Sequence, residues 1–97
     1  METYLIPDDG KEYDLIRSSL VYYREVVDHY LLNMIDTLLS QIENGNRWIT
    51  NMPHSGVIIK QAIAHLLKTE KDYKFIIYMK HVFPLLPKWL IPDNKDA

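Results

Sequence analysis

The sequence lacks cysteine altogether and has only three glycines and five prolines among its 97 residues. Without cysteine the protein has no disulfides, no thiolate metal ligands and no cysteine nucleophile, and a reducing compartment suits it. Three isolated glycines leave no glycine-rich loop to cradle a phosphate. A chain of this length still buries roughly two-thirds of its surface on folding, so it can form a core without a metal or a disulfide.

A long uncharged hydrophobic run is also missing. The most apolar window, residues 75–91, contains Lys80, His81 and Lys88 as well as two prolines. A membrane-spanning helix needs about 20 consecutive apolar residues. Residues 1–10 carry acidic side chains where a secretory signal has basic ones, and no apolar stretch follows within them. We therefore expect a cytoplasmic protein that does not bind a membrane.

Charged residues are distributed unevenly along the chain, although the formal net charge is only −2. Residues 1–44 carry nine acidic and three basic side chains, whereas residues 45–97 carry eight basic and four acidic ones. Halves of opposite charge can attract each other within one fold, pair between subunits or bind different partners. The simplest interpretation is two solvated faces packed in one fold.

The segment from Glu12 to Asn44 contains neither proline nor glycine, and apolar residues recur in it every three or four positions. This spacing predicts one face of a long amphipathic helix. Asp9 and Glu12 have the spacing of a capping box at its start, and Gly45 supplies a stop signal at its end. The repeated apolar positions are Tyr13, Ile16, Leu20, Tyr23, Val27, Tyr30, Leu31, Met34, Leu38 and Ile42.

The length of this predicted helix has a consequence for assembly. Its 33 residues would form a rod about 50 Å long, whereas a compact domain of this size has a diameter of about 32 Å. Either the helix breaks, most plausibly near Ser18 and Ser19, or another chain covers the overhanging apolar stripe. We favour the second alternative, which predicts a homodimer formed through the first helix.

Two shorter helices are predicted after a loop over residues 44–51. Asn51 can cap the first of them, Pro53 is tolerated in its first turn, and its apolar face ends near Lys68. The chain then gives a new start signal for a third helix.

Thr69 and Asp72 form that second capping signal, and the third helix is predicted to reach about Phe83, just before Pro84. The stretch 73–82 also alternates between apolar and polar residues, so a strand is an alternative there.

The segment 85–91 lies among three prolines and is predicted to be a short turn or an extended arm packed on the body, forming an ordered proline-rich C-terminal arm. The expected fold is therefore all-α. It is a single helical domain over residues 1–97, with one long N-terminal helix, two shorter helices and the C-terminal arm.

The search for catalytic and metal-binding patterns yields one alternative function. Arg47 and His54 are separated by six residues, and together they could steady a phosphate and move a proton at a helix start, as in a small helical ribonuclease. Such a spacing is common by chance. His54 and His65 lie three helical turns apart, too far to share a metal ion. We expect no enzymatic activity, no cofactor and no metal.

Protein binding has the best support from the composition. Seven tyrosines and two tryptophans are many for this length, and such side chains are typical of interfaces, as is arginine. The sequence therefore predicts a non-enzymatic regulator that binds another protein, namely a small inhibitor, adaptor or immunity-type factor. The candidate partner-binding residues are Tyr22, Tyr23, Tyr30, Arg47, Trp48 and Trp89.

Nucleic-acid binding is a second alternative, based on the basic half of the chain. Its lysines are interspersed with aromatic residues that could stack on bases. Against it, almost all of the basic residues are lysines and the isoelectric point is about 6.0, so a nucleic-acid partner is not expected. The lysines concerned are Lys60, Lys68, Lys71, Lys74, Lys80 and Lys88.

Overall fold

The computed structural model describes residues 2–51 and 55–92. The described part of the chain is mostly helical, as predicted, but it is not all-α, because two short strands form an antiparallel ribbon. The elements are β1 (Thr3–Leu5), α1 (Lys11–Tyr23), α2 (His29–Glu43), β2 (Trp48–Thr50), α3 (Ser55–Thr69) and α4 (Tyr73–Val82), followed by single 3-10 turns at Phe83–Leu85 and Lys88–Leu90.

The prediction of one long N-terminal helix is wrong. The chain leaves α1 after Tyr23 and begins α2 at His29, so the break does not fall at Ser18 and Ser19 either. Asp28 starts the new helix, since its carboxylate accepts a hydrogen bond of 3.0 Å from the backbone N–H of Leu31.

An ion pair crosses the corner between α1 and α2. The Arg24 guanidinium donates two hydrogen bonds to the Asp36 carboxylate, from Nε at 2.8 Å and from Nη2 at 3.2 Å. These hydrogen bonds, together with the charge of Arg24, lower the pKa of the Asp36 carboxyl from its ordinary value. This two-pronged contact links the end of α1 to α2 at the surface of the corner.

The folded-back chain removes the reason for expecting a dimer. The longest dimension of the described structure is 31 Å, so no helix overhangs the domain. The homodimer stays a prediction, but the geometric argument that led to it no longer applies.

The sequence predicted a capping box at the start of α1 and a glycine stop at the end of α2, and only the second of these forms. The predicted capping box of Asp9 and Glu12 does not form, because Gly10 is the N-cap of α1 and no side chain caps that end. The stop at Gly45 is confirmed, with a φ angle of 97° that a glycine adopts without strain.

The chain after Glu43 forms a Schellman motif. The N–H of Gly45 donates to the Ile42 carbonyl at 3.2 Å, and the N–H of Asn46 donates to the Gln41 carbonyl at 2.8 Å. Both acceptors are carbonyls that the end of α2 would otherwise leave unpaired.

The second predicted helix, α3, ends at Thr69, close to the predicted Lys68. The Asn51 side chain, which was predicted to cap this helix, accepts a hydrogen bond of 3.0 Å from the backbone N–H of Glu2. Pro53, predicted in the first turn of this helix, lies outside the described residues.

The third predicted helix, α4, begins as expected after Asp72, whose carboxylate accepts a hydrogen bond of 3.0 Å from the N–H of Lys74. Thr69 does not take part in this cap, because its hydroxyl donates to the His65 carbonyl. The strand alternative for residues 73–82 is wrong, since these residues form the helix.

The C-terminal segment is not an extended arm. The chain after α4 forms two single 3-10 turns, and the second turn packs on α3. Leu86 and Leu90 are buried in the core, so these turns belong to the folded body.

The ribbon joins parts of the chain that are far apart in sequence. Tyr4 lies opposite Ile49, and Leu5 lies opposite Trp48. The ladder is extended by the N–H of Ile6, which donates to the Arg47 carbonyl, and by the N–H of Asn51, which donates to the Glu2 carbonyl. The aromatic and β-branched residues of both strands suit this conformation.

The core lies around α3, which packs mainly against α1. Buried side chains of α3 are spaced by one, three or four residues, as expected for a helix surrounded on most sides. They are Ile58, Ile59, Ala62, Ile63 and Leu66.

Ser19 is the one polar residue in this core with a side chain that lacks a hydrogen-bond partner among the described residues. A buried hydroxyl without a partner costs free energy, and alanine is the better helix former. Ser19→Ala is therefore expected to raise the free energy of unfolding by about 1.5 kcal/mol, measured by urea denaturation. The matched control Ser18→Ala, on the half-buried neighbour, should gain only about 0.5 kcal/mol; equal gains would contradict this explanation.

Candidate protein-binding surface and cleft

Arg47 anchors the ribbon to the helical body. Its Nε donates a hydrogen bond of 2.8 Å to the Ile42 carbonyl at the end of α2. Its Nη1 donates two bonds of 3.0 Å to the carbonyls of Pro7 and Asp8, in the turn between β1 and α1. One guanidinium therefore satisfies three carbonyls from two separate turns.

The same guanidinium lies over the ring of Tyr13, with 4.2 Å between the Arg47 Cζ and the ring centroid. This cation–π contact adds α1 to the elements that Arg47 joins. The side chain immediately before β2 is thus held in place, and the next residue, Trp48, is presented on a fixed backbone.

The outward face of the ribbon carries an exposed apolar pair. Leu5 and Trp48 are directly opposite in the ladder, and 50% and 62% of their surfaces are exposed. Residues opposite each other on one face of a ribbon have side chains in reach of each other. On the other face of the ribbon, Ile49 is buried in the core. Because side chains alternate between the two faces of a strand, Leu5 and Trp48 must then face the solvent.

Acidic side chains flank this pair. Glu2 precedes β1, Asp8 and Asp9 follow it, and all three are exposed. Burial, and secondarily the charge of Glu12, raise the pKa of the Tyr4 hydroxyl on the same strand. The residues before and after β1 are therefore acidic and exposed, while the Arg47 guanidinium places a positive charge at the Pro7 and Asp8 carbonyls.

The remaining predicted partner-binding residues lie in two other places. Tyr22 and Tyr30 flank the corner between α1 and α2 and are more than half exposed. Tyr23 and Trp89 are half-buried and line one cleft. The structure therefore distributes the six predicted residues over three regions rather than one.

The cleft lined by Tyr23 and Trp89 has a volume of about 670 Å³. Four residues of α3 line it with the i, i+3, i+4, i+7 spacing of a single helix face, and Asn51 borders it after β2. These α3 residues are Val57, Lys60, Gln61 and Ala64.

Both aromatic side chains of this cleft have fixed neighbours. The Tyr23 and His65 rings are tilted against each other, with centroids 5.5 Å apart. The Trp89 ring lies so close to Gly56 that a Cβ atom there would be 2.6 Å from its Cζ3. The tryptophan therefore packs directly on the backbone of α3.

The sequence patterns did not point to Leu5, and they indicated Asn51 only as a helix cap and Lys60 only as one of the lysines of the nucleic-acid alternative. The alternation of residues 3–6 is too short to reveal a strand by itself, so the pairing of Leu5 with Trp48 had no local signal. The spacing of Val57, Lys60 and Ala64 in the sequence shows that they share one helix face. The sequence does not show that Tyr23 and Trp89 lie across from this face.

The residues of the ribonuclease alternative are only partly described. His54 lies outside the described residues, and the Arg47 guanidinium donates its bonds to backbone carbonyls. The lysines of the nucleic-acid alternative are exposed at positions 68, 71, 74, 80 and 88, whereas Lys60 is half-buried.

Within residues 2–51 and 55–92, no three histidine or carboxylate side chains come together in a way that could hold a metal ion. In the same ranges, no helix has both the length and the apolar composition required to cross a bilayer.

Comparison of the chain with protein-family models, with curated proteins and with solved structures found no match.

Proposed function

We propose that the protein is a non-enzymatic regulator that binds another protein, as a small cytoplasmic inhibitor, adaptor or immunity-type factor. The observation that carries this proposal is the exposed pair of Leu5 and Trp48 on a ribbon that Arg47 anchors. Tryptophan is among the residue types most enriched at binding hot spots, and here it is exposed on a backbone that Arg47 anchors.

The charge around the pair defines the chemistry of the partner. Glu2 precedes β1, Asp8 and Asp9 follow it, and all three are exposed, so acidic residues lie at both ends of the strand that carries Leu5. The partner surface should therefore present an apolar pocket or strand flanked by lysine or arginine, because complementary charge speeds association and excludes acidic surfaces.

The test uses a partner captured with the wild-type chain, purified, and titrated against variants by calorimetry. Trp48→Ala is expected to weaken binding by about 2 kcal/mol, or about 30-fold. The matched control is Tyr73→Ala, which removes an exposed aromatic side chain from α4 on another part of the surface.

The control should change the affinity by less than about twofold, since an exposed residue outside an interface contributes little. A partner that binds Trp48→Ala as tightly as the wild type would contradict the proposal. Light scattering on the free protein separates one chain of 11.5 kDa from the predicted homodimer in the same preparation.

A further inference from the structure

We propose that the cleft between Tyr23 and Trp89 binds a small planar aromatic anion, such as an aromatic carboxylate. Nothing in the proposed protein-binding function requires this site, because the cleft does not include Leu5 or Trp48. The inference rests on the size of the cleft, its aromatic walls and the charge of its lining.

The size and shape suit a small molecule. The volume of about 670 Å³ falls within the range of roughly 300–1,000 Å³ that small-molecule sites occupy. Val57 and Ala64 are the small apolar residues of the α3 face, and they leave space between the bulkier side chains. The floor of the cleft is therefore a regular helix, which is a rigid base for a site.

The walls favour a planar ligand. Tyr23 and Trp89 come from different elements, the end of α1 and the second 3-10 turn, and both border the same space. Trp89 cannot shift toward α3, because its ring already touches the backbone at Gly56. Aromatic side chains that are held in this way offer flat faces for offset stacking.

The polar groups favour an anion. Lys60 is the only ionised residue among the described residues that line the cleft, and no described carboxylate pairs with it. The Asn51 Oδ1 accepts the N–H of Glu2 at 3.0 Å, so the Asn51 amide nitrogen remains as a donor. An ammonium and an amide donor beside an aromatic wall match a carboxylate on a flat ring.

The same lining argues against other ligand classes. A metal ion or an organic cation would meet Lys60 without a carboxylate to balance it. A nucleic-acid backbone needs several phosphate contacts, and Lys60 is the single cation among the described residues of this lining. One negative charge on one flat ring is the ligand that this cleft accommodates.

The experiment uses the full chain carrying Trp48→Phe, so that Trp89 is the only tryptophan. The probe is 2-naphthoate, compared with the uncharged 2-naphthalenemethanol, and the readout is the ¹H–¹⁵N spectrum with its single indole cross-peak. We expect saturable shifts of the Trp89 indole and of the amides of residues 57–64. The alcohol should bind about tenfold more weakly, because it lacks the charge that Lys60 meets.

Two lysine variants then separate this site from general electrostatic attraction. Lys60→Met keeps the aliphatic length and should weaken naphthoate about tenfold while leaving the affinity for the alcohol unchanged. Lys68→Met removes an exposed charge at the end of the same helix and should have no effect. Tyr23→Leu should weaken both probes by removing one aromatic wall.

Several results would overturn the proposal. The first is the absence of saturable shifts at millimolar naphthoate, and the second is a set of shifts confined to the ribbon. The third is an equal loss of affinity in Lys60→Met and Lys68→Met. Failure of this test leaves the Trp48→Ala result unaffected, since the two surfaces share no residue.

Discussion

Replacement of Arg47 by alanine is expected to lower the free energy of unfolding by about 3 kcal/mol. The variant leaves three backbone carbonyls without their charged donor, and it removes the stacking on Tyr13. Hydrogen bonds that involve a charged group contribute more than neutral ones, and the ring contact adds to them. Guanidinium chloride denaturation followed by circular dichroism measures the loss.

Arg17→Ala is the matched control for this variant. The Arg17 guanidinium lies 3.7 Å from the Glu43 carboxylate, and both side chains are about half exposed, at 46% and 47%. An exposed ion pair contributes little, so this variant should differ from the wild type by less than about 1 kcal/mol. Arg47→Lys should remain clearly destabilised, because an ammonium lacks the planar fork of donors. Equal free energies of unfolding for Arg47→Ala and Arg17→Ala would show that the Arg47 contacts do not stabilise the fold.

The second large effect is expected at Gly56. A Cβ atom at this position would lie 2.4 Å from the Thr50 carbonyl oxygen, 2.6 Å from the Trp89 ring and 2.8 Å from the Asn51 Cα. Two of these three atoms belong to the backbone and cannot rotate away. Gly56→Ala should therefore lower the free energy of unfolding by about 3 kcal/mol, at the upper end of overpacking effects.

The variant should also displace Trp89, which a fluorescence measurement in the Trp48→Phe background detects as a red-shifted emission. Gly45→Ala is the control, because nothing lies within 4 Å of a Cβ there, although the φ angle is 97°. Its cost is that of a left-handed backbone, about 1 kcal/mol, and the emission of Trp89 should not change. An unchanged Trp89 emission in Gly56→Ala would contradict the packing described here.

The helices were predictable because their signals are local. The period of apolar residues identified the faces of α1 to α3, Asp72 marked the start of α4, and Gly45 marked the end of α2. Each of these signals acts within one or two helical turns. The same locality explains the error at residues 24–28, where the apolar period continues through a break.

That break depends on a tertiary contact. No proline or glycine interrupts the chain there, so the period alone favoured a continuous helix. An aspartate such as Asp28 can cap a helix or lie inside one. Here it caps α2, and the Arg24–Asp36 contact joins α2 to the end of α1. The local period continues through the break, and only the folded chain shows that α1 and α2 turn to bury their apolar faces, including Leu20 and Ile35, in one core.

The candidate binding surfaces were also predictable only in part, since residue types are local and shared surfaces are not. Composition identified tyrosine, tryptophan and Arg47 as interface types, but not which of them share a surface. Trp48 lies opposite Leu5, 43 positions earlier in the chain, and Tyr23 shares a cleft with Trp89 from the last turn.

The sequence by itself therefore determined a small, cysteine-free, mostly helical fold, the faces of its helices and two of their ends. The tertiary structure alone decided where the first helix breaks, that strands from two distant segments pair, and which aromatic residues meet. The physical reason is that hydrophobic period and capping act between near neighbours, whereas strand register and cleft walls depend on how distant segments pack around one core.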